Sequence, residues 1–190
     1  MVNAQMLGDV FGRGLTYEQY VGTGTGAQQS NWGRVYEAAR LTGPQGALVG
    51  GFTRRMPVLV VSGIWCGDCV QQCPFLARIA EANPGMIDLR FVDRDEEGEL
   101  SDRIQICGGR RVPVVVFMAE DFEFVGLLGD RTLSRYRAMA ARQLGPSCPL
   151  PGAPVPAEEA AATLGDWVNE FERVQLLLRL SPRLRQMHGD

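Results

Sequence analysis

The chain has 190 residues, 45% of them hydrophobic, and a net charge of −3. This length allows one domain with a sizeable core plus extensions, and the charge gives no indication of nucleic-acid binding. No apolar stretch of about 18 residues indicates a membrane span, and the first residues lack the pattern of a secretory signal. The five cysteines are an odd number and do not resemble a secreted disulfide framework, so we expect a cytoplasmic protein.

The N-terminal region is expected to hold short helices and a linker. Thr16 is a candidate N-cap for a short helix. The glycine-rich segment 22–26 has no preceding strand and no Lys-Ser or Lys-Thr after it, so it is interpreted as a flexible linker rather than a phosphate loop. Helical spacing of apolar residues predicts an amphipathic helix over 31–42 that ends at 43–44. Residues 45–55 are expected to be a loop or a short helix.

The most informative stretch follows. The aliphatic run 58–61 predicts a strand buried on both faces, and Gly63 marks its end. Cys66 and Cys69 come next, at the spacing typical of a redox pair beside a βα unit. If a helix begins at or just after Cys66, the free N–H groups and the helix dipole favour a thiolate there. Cys69 lies one turn later on the same face, within reach of a disulfide.

Strands and helices are also expected further along the chain. Alternating apolar residues predict a strand over 87–92, and the acidic segment after it is expected to begin a helix that runs to about residue 106. A hairpin is predicted from strands at 114–118 and 122–127. A further helix is expected over 133–144.

The C-terminal region combines a boundary and a long helix. Residues 145–157 are rich in proline and glycine, which favours a boundary rather than a core element. Residues 158–180 have amphipathic helical spacing, so the helix needs a partner surface. Packing on the domain is favoured over a homodimer seam, and both a monomer and a homodimer stay open. His188 is the only histidine and lies in a polar tail, so a catalytic Cys–His pair has little support.

Two segments resemble those of a known family. The sequence Trp-Cys-Gly-Asp-Cys at 65–69, with Pro74 after it, resembles the active-site segment of thioredoxins, whose common form is Trp-Cys-Gly-Pro-Cys. Val112-Pro113, followed by a strand pattern, is similar to the cis-proline that lies opposite the dithiol in that family. Together with Arg-Asp-Glu at 94–96 and the segment 108–113, these motifs resemble a little-characterised bacterial thioredoxin-like family.

The resemblance implies a fold and an activity. The implied fold is α/β and thioredoxin-like, a central mixed sheet flanked by helices, with helical extensions at both ends. The implied units are an extension and linker at 1–30, the thioredoxin-like domain at 31–145, and a linker plus helix at 146–190. The implied activity is thiol–disulfide exchange with a protein disulfide, regenerated by a thiol reductant or reductase and needing no cofactor or metal. Cys66 would attack and Cys69 would resolve the mixed disulfide. The residues implied for substrate binding are Trp65, Gly67, Asp68, Arg110, Arg111, Val112 and Pro113.

The sequence also departs from the thioredoxin pattern. Asp68 replaces the usual proline, and a carboxylate beside Cys66 disfavours its thiolate although it favours the helix terminus. We therefore expect a less depressed pKa for Cys66 and a more reducing couple. The buried aspartate of thioredoxins corresponds to Val60 here, so no buried base is expected. Arg110 and Arg111 are expected to restore some positive potential near Cys66 and to favour acidic partners.

Two other functions are compatible with these residues. The chain is interpreted alternatively as a non-catalytic interaction module that binds an extended peptide beside Val112. A zinc or iron–sulfur centre is a third, less favoured interpretation. Cys73 fits better as a small buried hydrophobe, and Cys148 is a candidate third redox thiol. The cysteines available to a metal centre are Cys66, Cys69, Cys73, and either Cys107 or Cys148.

Overall fold

A four-stranded mixed sheet forms the centre of the protein. The computed structural model describes residues 2–143 and 157–190. The strand order is β2-β1-β3-β4, with β1 and β2 parallel, β3 antiparallel to β1, and β4 antiparallel to β3. The predicted α/β architecture with a mixed central sheet is confirmed. The strands are β1 Met56–Ser62, β2 Ile87–Asp93, β3 Val114–Met118 and β4 Phe124–Gly129.

Helices surround this sheet. In the described residues they are α1 Ala4–Arg13, α2 Tyr17–Gly22, α3 Gly26–Ala38, α4 Gly43–Gly50, α5 Gly67–Glu81, α6 Gly98–Arg103, α7 Leu133–Gln143, α8 Ala157–Leu180 and α9 Pro182–His188. Within residues 2–143 and 157–190, none of these helices is both long enough and apolar enough to cross a bilayer.

Strand β1 is the core of the sheet. All seven of its residues are buried, because β2 and β3 flank it and helices cover the sheet. Val60 pairs with Phe91 of β2 on one side and with Val115 of β3 on the other. A continuous aliphatic run is what a strand without a solvent face requires. The predicted buried strand is therefore present, and its carboxyl end leads directly to Cys66.

The flexible linker predicted over 22–26 is wrong, because Gly22 is the last residue of α2 and Gly26 is the first residue of α3. Residues 23–25 form only a short turn between α2 and α3. The physical reason is a capping box, in which a threonine hydroxyl accepts from the N3 backbone while the N3 glutamine bonds back to the cap. The same device starts α4, so Gly43 and Pro44 begin a helix instead of ending one. The three pairs are Thr16 with Gln19, Thr25 with Gln28, and Thr42 with Gln45.

The N-terminal helices build an aromatic cluster against β2. The Tyr20 ring stacks on Phe91 at 5.4 Å between centroids and meets Trp32 edge-on at 5.7 Å. Leu15 exchanges backbone hydrogen bonds with Phe91, at 2.8 Å each. The Trp32 indole donates to the carbonyl of Ile64 at 3.0 Å. The N-terminal region thus fixes the turn that leads from β1 to Cys66.

Helix α6 is shorter than predicted. It covers only 98–103, and a turn occupies 94–97. The carboxylate of Asp93 accepts from the backbone N–H of Asp95 at 2.8 Å, which holds the chain in that turn. Side chains of Asp compete with the backbone in this way, so the acidic segment delays the helix that it was expected to start.

Helix α8 packs on the domain. Its buried side chains include Trp167, Phe171 and Val174, and the Phe171 ring meets Phe117 of β3 edge-on at 5.1 Å. The side chain of Gln175 pairs with the backbone of residue 54, accepting from its N–H at 2.8 Å and donating to its carbonyl at 3.1 Å. Residues 145–156 of the predicted linker, with Cys148 among them, lie outside the described residues, and Ala157 is the first residue of α8.

The chain ends in α9, which the sequence analysis assigned to a polar tail. Ser181 caps it, and His188 is its last residue. His188 Nε2 lies 2.9 Å from a carboxylate oxygen of Glu120, in the turn between β3 and β4. This contact joins the end of α9 to the turn between β3 and β4.

Candidate active site

Cys66 occupies the N-cap of α5. Its N–H donates to the carbonyl of Gly63 at 2.9 Å and its carbonyl accepts from Val70 at 3.0 Å, so a tight turn delivers it to the first turn of the helix. Its side chain is partly exposed, whereas Cys69, one turn later, is completely buried. Both are free thiols. One sulfur therefore faces incoming molecules, and the other lies behind it.

Trp65 and Gly63 shape the approach to Cys66. A Cβ on Gly63 would lie 2.9 Å from the Trp65 ring, so glycine lets the indole fold over the turn. The ring stays 48% exposed. The guanidinium of Arg94 lies 4.7 Å from its centroid, in cation–π contact. An exposed indole held by a cation is a contact surface beside the outer thiol.

The loop before β3 brings Val112 and Pro113 to the dithiol. The peptide bond between them is cis, and Cys66 Sγ lies 3.8 Å from the carbonyl oxygen of Val112. Behind them, a Cβ on Gly129 would lie 2.5 Å from the carbonyl oxygen of Pro113, so β4 approaches this loop with no room for a side chain. Segments 46 residues apart thus meet at one sulfur.

The two thiols titrate as a coupled pair. The hydrogen bond with Cys69 and partial burial raise the pKa of Cys66, whereas the backbone N–H groups of Cys69 and Asp68 act to lower it. Complete burial raises the pKa of Cys69. Only Cys66 is accessible, and its place at a helix N-terminus favours a thiolate there.

Asp68 is held by two arginines. Its carboxylate accepts from Arg135 at 2.9 Å and also pairs with Arg131. The sequence-based expectation that Asp68 disfavours the Cys66 thiolate did not include these cations, which offset the negative charge. Both come from the segment that follows β4, about 65 residues downstream of Asp68.

Arg110 and Arg111 each have a carboxylate partner. Arg110 makes a bidentate pair with Asp102 at 2.6 and 2.7 Å, and Arg111 donates to Asp130 at 3.0 Å. These bonds raise the pKa of both guanidinium groups. Arg110 and Arg111 were expected to supply positive potential at the Cys66 thiolate, but each of them also neutralises an acidic side chain. Gly67 is the first residue of α5 and lies between Cys66 and Asp68 in the sequence.

Sequence reasoning missed a charged network that extends from Asp68. Asp130 is buried, and although burial acts to raise its pKa, hydrogen bonds from Tyr136 and Arg111 outweigh this and hold it below the usual value. Arg135, also buried, joins Asp68 to Glu159 of α8 at 2.8 Å, and Arg142 pairs with the same glutamate. No local pattern signals it, because Arg131 lies before the first residue of α7 and Arg135 lies within it, 63 and 67 residues after Asp68. The network ties the first turn of α5 to α7 and α8.

The position behind the dithiol is apolar. Val60, six residues before Cys66, is completely buried in β1. The polar groups near Cys69 are instead Ser62 and Cys73, whose side-chain oxygen and sulfur lie 3.8 Å apart. Cys73 is buried, as expected of a small hydrophobe.

Metal-ligating residues do not gather at this site. Among residues 2–143 and 157–190, no group of three or more His, Cys, Asp or Glu side chains is arranged to hold a metal ion. Cys107 is exposed in the loop that follows α6.

Comparison with known proteins identifies the family of the chain. The sequence profile of a family described as Thioredoxin matches residues 14–141, more than half of the chain. The chain belongs to the thioredoxin family. The predicted thioredoxin-like fold is confirmed, and the family match begins in the N-terminal region, at residue 14. No curated protein sequence matches the chain.

Solved structures extend the likeness to nearly the whole chain. A protein of unknown function from Pseudomonas aeruginosa is 20% identical, with a TM-score of 0.70 over 92% of this chain and 97% of its own. An HIV epitope-scaffold is also 20% identical, with a TM-score of 0.61 over 96% of this chain and 98% of its own. At this identity the likeness concerns the fold alone, and it includes regions outside the family match.

Proposed function

We propose that the protein is a thiol–disulfide oxidoreductase that reduces a disulfide in a protein substrate. One observation carries the proposal: Cys66 is partly exposed at the N-cap of α5, with Cys69 buried one turn behind it and the Val112 carbonyl 3.8 Å from its sulfur. A thiolate needs access to attack, and the second thiol needs protection until the mixed disulfide forms.

The reaction has two steps. The Cys66 thiolate attacks one sulfur of the substrate disulfide, and the other substrate sulfur leaves as a thiolate and takes up a proton. The Cys69 thiolate then attacks Cys66, and the bond from Cys66 to the substrate breaks. The substrate leaves fully reduced, and the protein holds a Cys66–Cys69 disulfide. A small thiol or a dithiol reductase returns the protein to its reduced form by the reverse exchange.

The loop at 112–113 is the proposed substrate-binding edge. Val112 is buried and its carbonyl is directed at Cys66, so an extended peptide that pairs with this backbone would bring its cystine to the sulfur. Trp65 and Arg94 would flank such a peptide on the exposed side.

A redox titration tests this function. The purified protein is equilibrated across dithiothreitol buffers and the free thiols are alkylated and counted by mass analysis. We expect a reversible two-electron transition within the roughly −270 to −120 mV covered by this architecture, lost in both Cys66→Ser and Cys69→Ser. Cys107→Ser is the matched control, because Cys107 is an exposed thiol away from the pair, and it should leave the transition unchanged.

A second measurement separates catalysis from binding. Insulin turbidity with dithiothreitol as donor reports turnover of a protein disulfide, and we expect turnover that depends on both Cys66 and Cys69. An interaction module would instead show no turnover and no reversible Cys66–Cys69 disulfide. That outcome would contradict the proposed function.

A further inference from the structure

An apolar groove runs between α4 and α8 on the surface of the protein. It has a volume of about 330 Å³, and its lining includes Phe52 and the leucines Leu48 of α4 and Leu176 of α8. Leu48 is 37% exposed and Leu176 is 51% exposed. Leu180, one turn after Leu176, is also exposed. Exposed leucines gathered around a groove are typical of a surface that binds another protein.

The α4 side of this groove carries no charge. Residues 41–53, which include all of α4, contain no Asp, Glu, Lys or Arg, although Ala47 and Leu48 are exposed. The solvated face of a helix usually bears charged residues, whereas charged residues are depleted at the centre of a protein interface. A Cβ on Gly46 would meet no atom within 4 Å, so packing within the chain does not require glycine there. The exposed face of α4 therefore has the composition of an interface.

The α8 side supplies two opposite charges. Among the described residues, the charged side chains at the groove are Glu172 and Arg179, and neither forms an ion pair or a hydrogen bond. Their neighbours Glu170 and Arg173 instead pair with each other at 2.7 Å. Seven residues separate Glu172 from Arg179, which puts them on one side of the helix but about 10 Å apart along its axis. They are thus too distant to pair within one chain.

The order of these residues along α8 is self-complementary. Glu172 lies four residues before Leu176, and Arg179 lies three residues after it. If two copies of α8 cross antiparallel about a two-fold axis at Leu176, Glu172 of each copy lies opposite Arg179 of the other. In such an isologous contact the same patch is used twice. One surface then provides two ion pairs around an apolar centre.

We propose that the groove between α4 and α8 is the interface of a homodimer, in which two copies pack antiparallel across Leu176. Burial of Leu48 and Leu176 in both copies supplies the affinity. The two pairs of Glu172 with Arg179 set the antiparallel orientation, because charges at the rim of an interface govern specificity more than affinity. Helix α8 thus packs on its own domain with one side and on a second copy with another.

The dimer leaves both dithiols open. Asn83, just beyond the end of α5, donates to the carbonyl of Val49 in α4 at 3.0 Å, whereas Cys66 precedes the first residue of α5. A helix of 15 residues is about 22 Å long. The groove therefore lies at the opposite end of α5 from Cys66. This inference goes beyond the proposed oxidoreductase activity, and we expect the same turnover per chain in monomer and dimer.

Analytical ultracentrifugation of the full-length chain, kept reduced with dithiothreitol, tests the inference. Between about 1 and 100 μM we expect the mass to rise toward twice the 20.8 kDa of one chain, because small interfaces give affinities near the micromolar range. Leu176→Glu and Leu48→Glu should each raise the dissociation constant at least about tenfold, since each buries a charge in an apolar contact. Leu133→Glu is the matched control and should have no effect, because Leu133 is an exposed leucine of α7 that does not line the groove.

Charge reversal tests the antiparallel arrangement. Glu172→Arg and Arg179→Glu each place like charges opposite one another, so each should raise the dissociation constant at least about tenfold. An equimolar mixture of these two variants should restore the dimer, because each copy then carries the charges that the other lacks. Arg173→Glu is the matched control and should dimerise like the parent. Arg173 pairs within its own helix and lies beside Gly126 of β4.

The outcomes separate this inference from the proposed function. A chain that stays monomeric up to about 100 μM would overturn the inference, and so would a dimer that Leu176→Glu leaves unchanged. If Leu176→Glu fails to fold, Leu48→Glu decides by the same criterion. A mixture of the reversal variants that stays monomeric would overturn the antiparallel interface. A monomer that binds phosphatidylglycerol vesicles through Leu176 would assign the groove to a lipid surface and overturn the inference as well. A dimer without insulin turnover would refute the oxidoreductase and support this interface.

Discussion

Arg135 offers the sharpest test of the charged network. Its side chain is 6% exposed and donates to Asp68 at 2.9 Å and to Glu159 at 2.8 Å. Replacement by methionine keeps the length and the helix propensity but removes both charge-assisted bonds. Losing one partner of a buried pair costs about 3–5 kcal/mol. Asp68 would keep its pair with Arg131, and Glu159 would keep its pair with Arg142. We therefore expect a loss of about 3 kcal/mol in the free energy of unfolding, the low end of this range.

Urea unfolding at neutral pH measures this loss in the free energy of unfolding. In a thermal unfolding experiment on a chain of this size, about 3 kcal/mol corresponds to a fall of roughly 6–12 °C in Tm. Arg173→Met is the matched control, because Arg173 lies on α8 in a pair with Glu170 and is 51% exposed. An exposed pair of this kind contributes less than about 1 kcal/mol. If Arg135→Met costs no more free energy of unfolding than Arg173→Met, the charged network does not stabilise the protein.

Three further changes probe other parts of the structure. Asp130 has a depressed pKa, so its contribution to stability is present above about pH 4 and is lost as pH falls through its folded value. In urea unfolding, Asp130→Asn should therefore be less stable than the parent at pH 7, with a difference that shrinks below about pH 4. Phe171→Ala should cost about 3–5 kcal/mol in the same assay, since its ring is completely buried. In Gly129→Ala the new Cβ would lie 2.5 Å from the carbonyl oxygen of Pro113. We expect this clash to lower the free energy of unfolding by about 1–3 kcal/mol and to slow the alkylation of Cys66. Gly126→Ala, where the new Cβ meets only a flexible side chain, should be close to neutral.

The sequence predicted the sheet and the thiol pair well because those signals are local. A continuous aliphatic run in β1 and alternation in β2 each depend on neighbours within a few residues, and so does the placement of Cys66 at a helix start. The long amphipathic α8 was predicted within one residue at its start. The surface that α8 packs against depends on the whole fold, so the sequence could only favour packing on the domain over a homodimer seam.

The N-terminal error has a local cause that the sequence did contain. Thr25 and Gln28 are three residues apart, which is the spacing of a capping box, but the surrounding glycines favoured a linker. The charged network had no such local signal. Asp68 and Arg135 are 67 residues apart in sequence, and only the fold, in which α8 contacts both α5 and α7, brings them together.

Gln175 makes the two ends of the polypeptide interdependent. Its amide imitates a neighbouring strand for the backbone just ahead of β1, from a position 121 residues away. A shortened version that stops at residue 143 would lose this pairing and would expose to water the apolar surface that Trp167 and Phe171 bury. Attempts to isolate a minimal thioredoxin-like domain should therefore retain α8, and a fusion partner is better attached at the N-terminus than in place of the C-terminal helices.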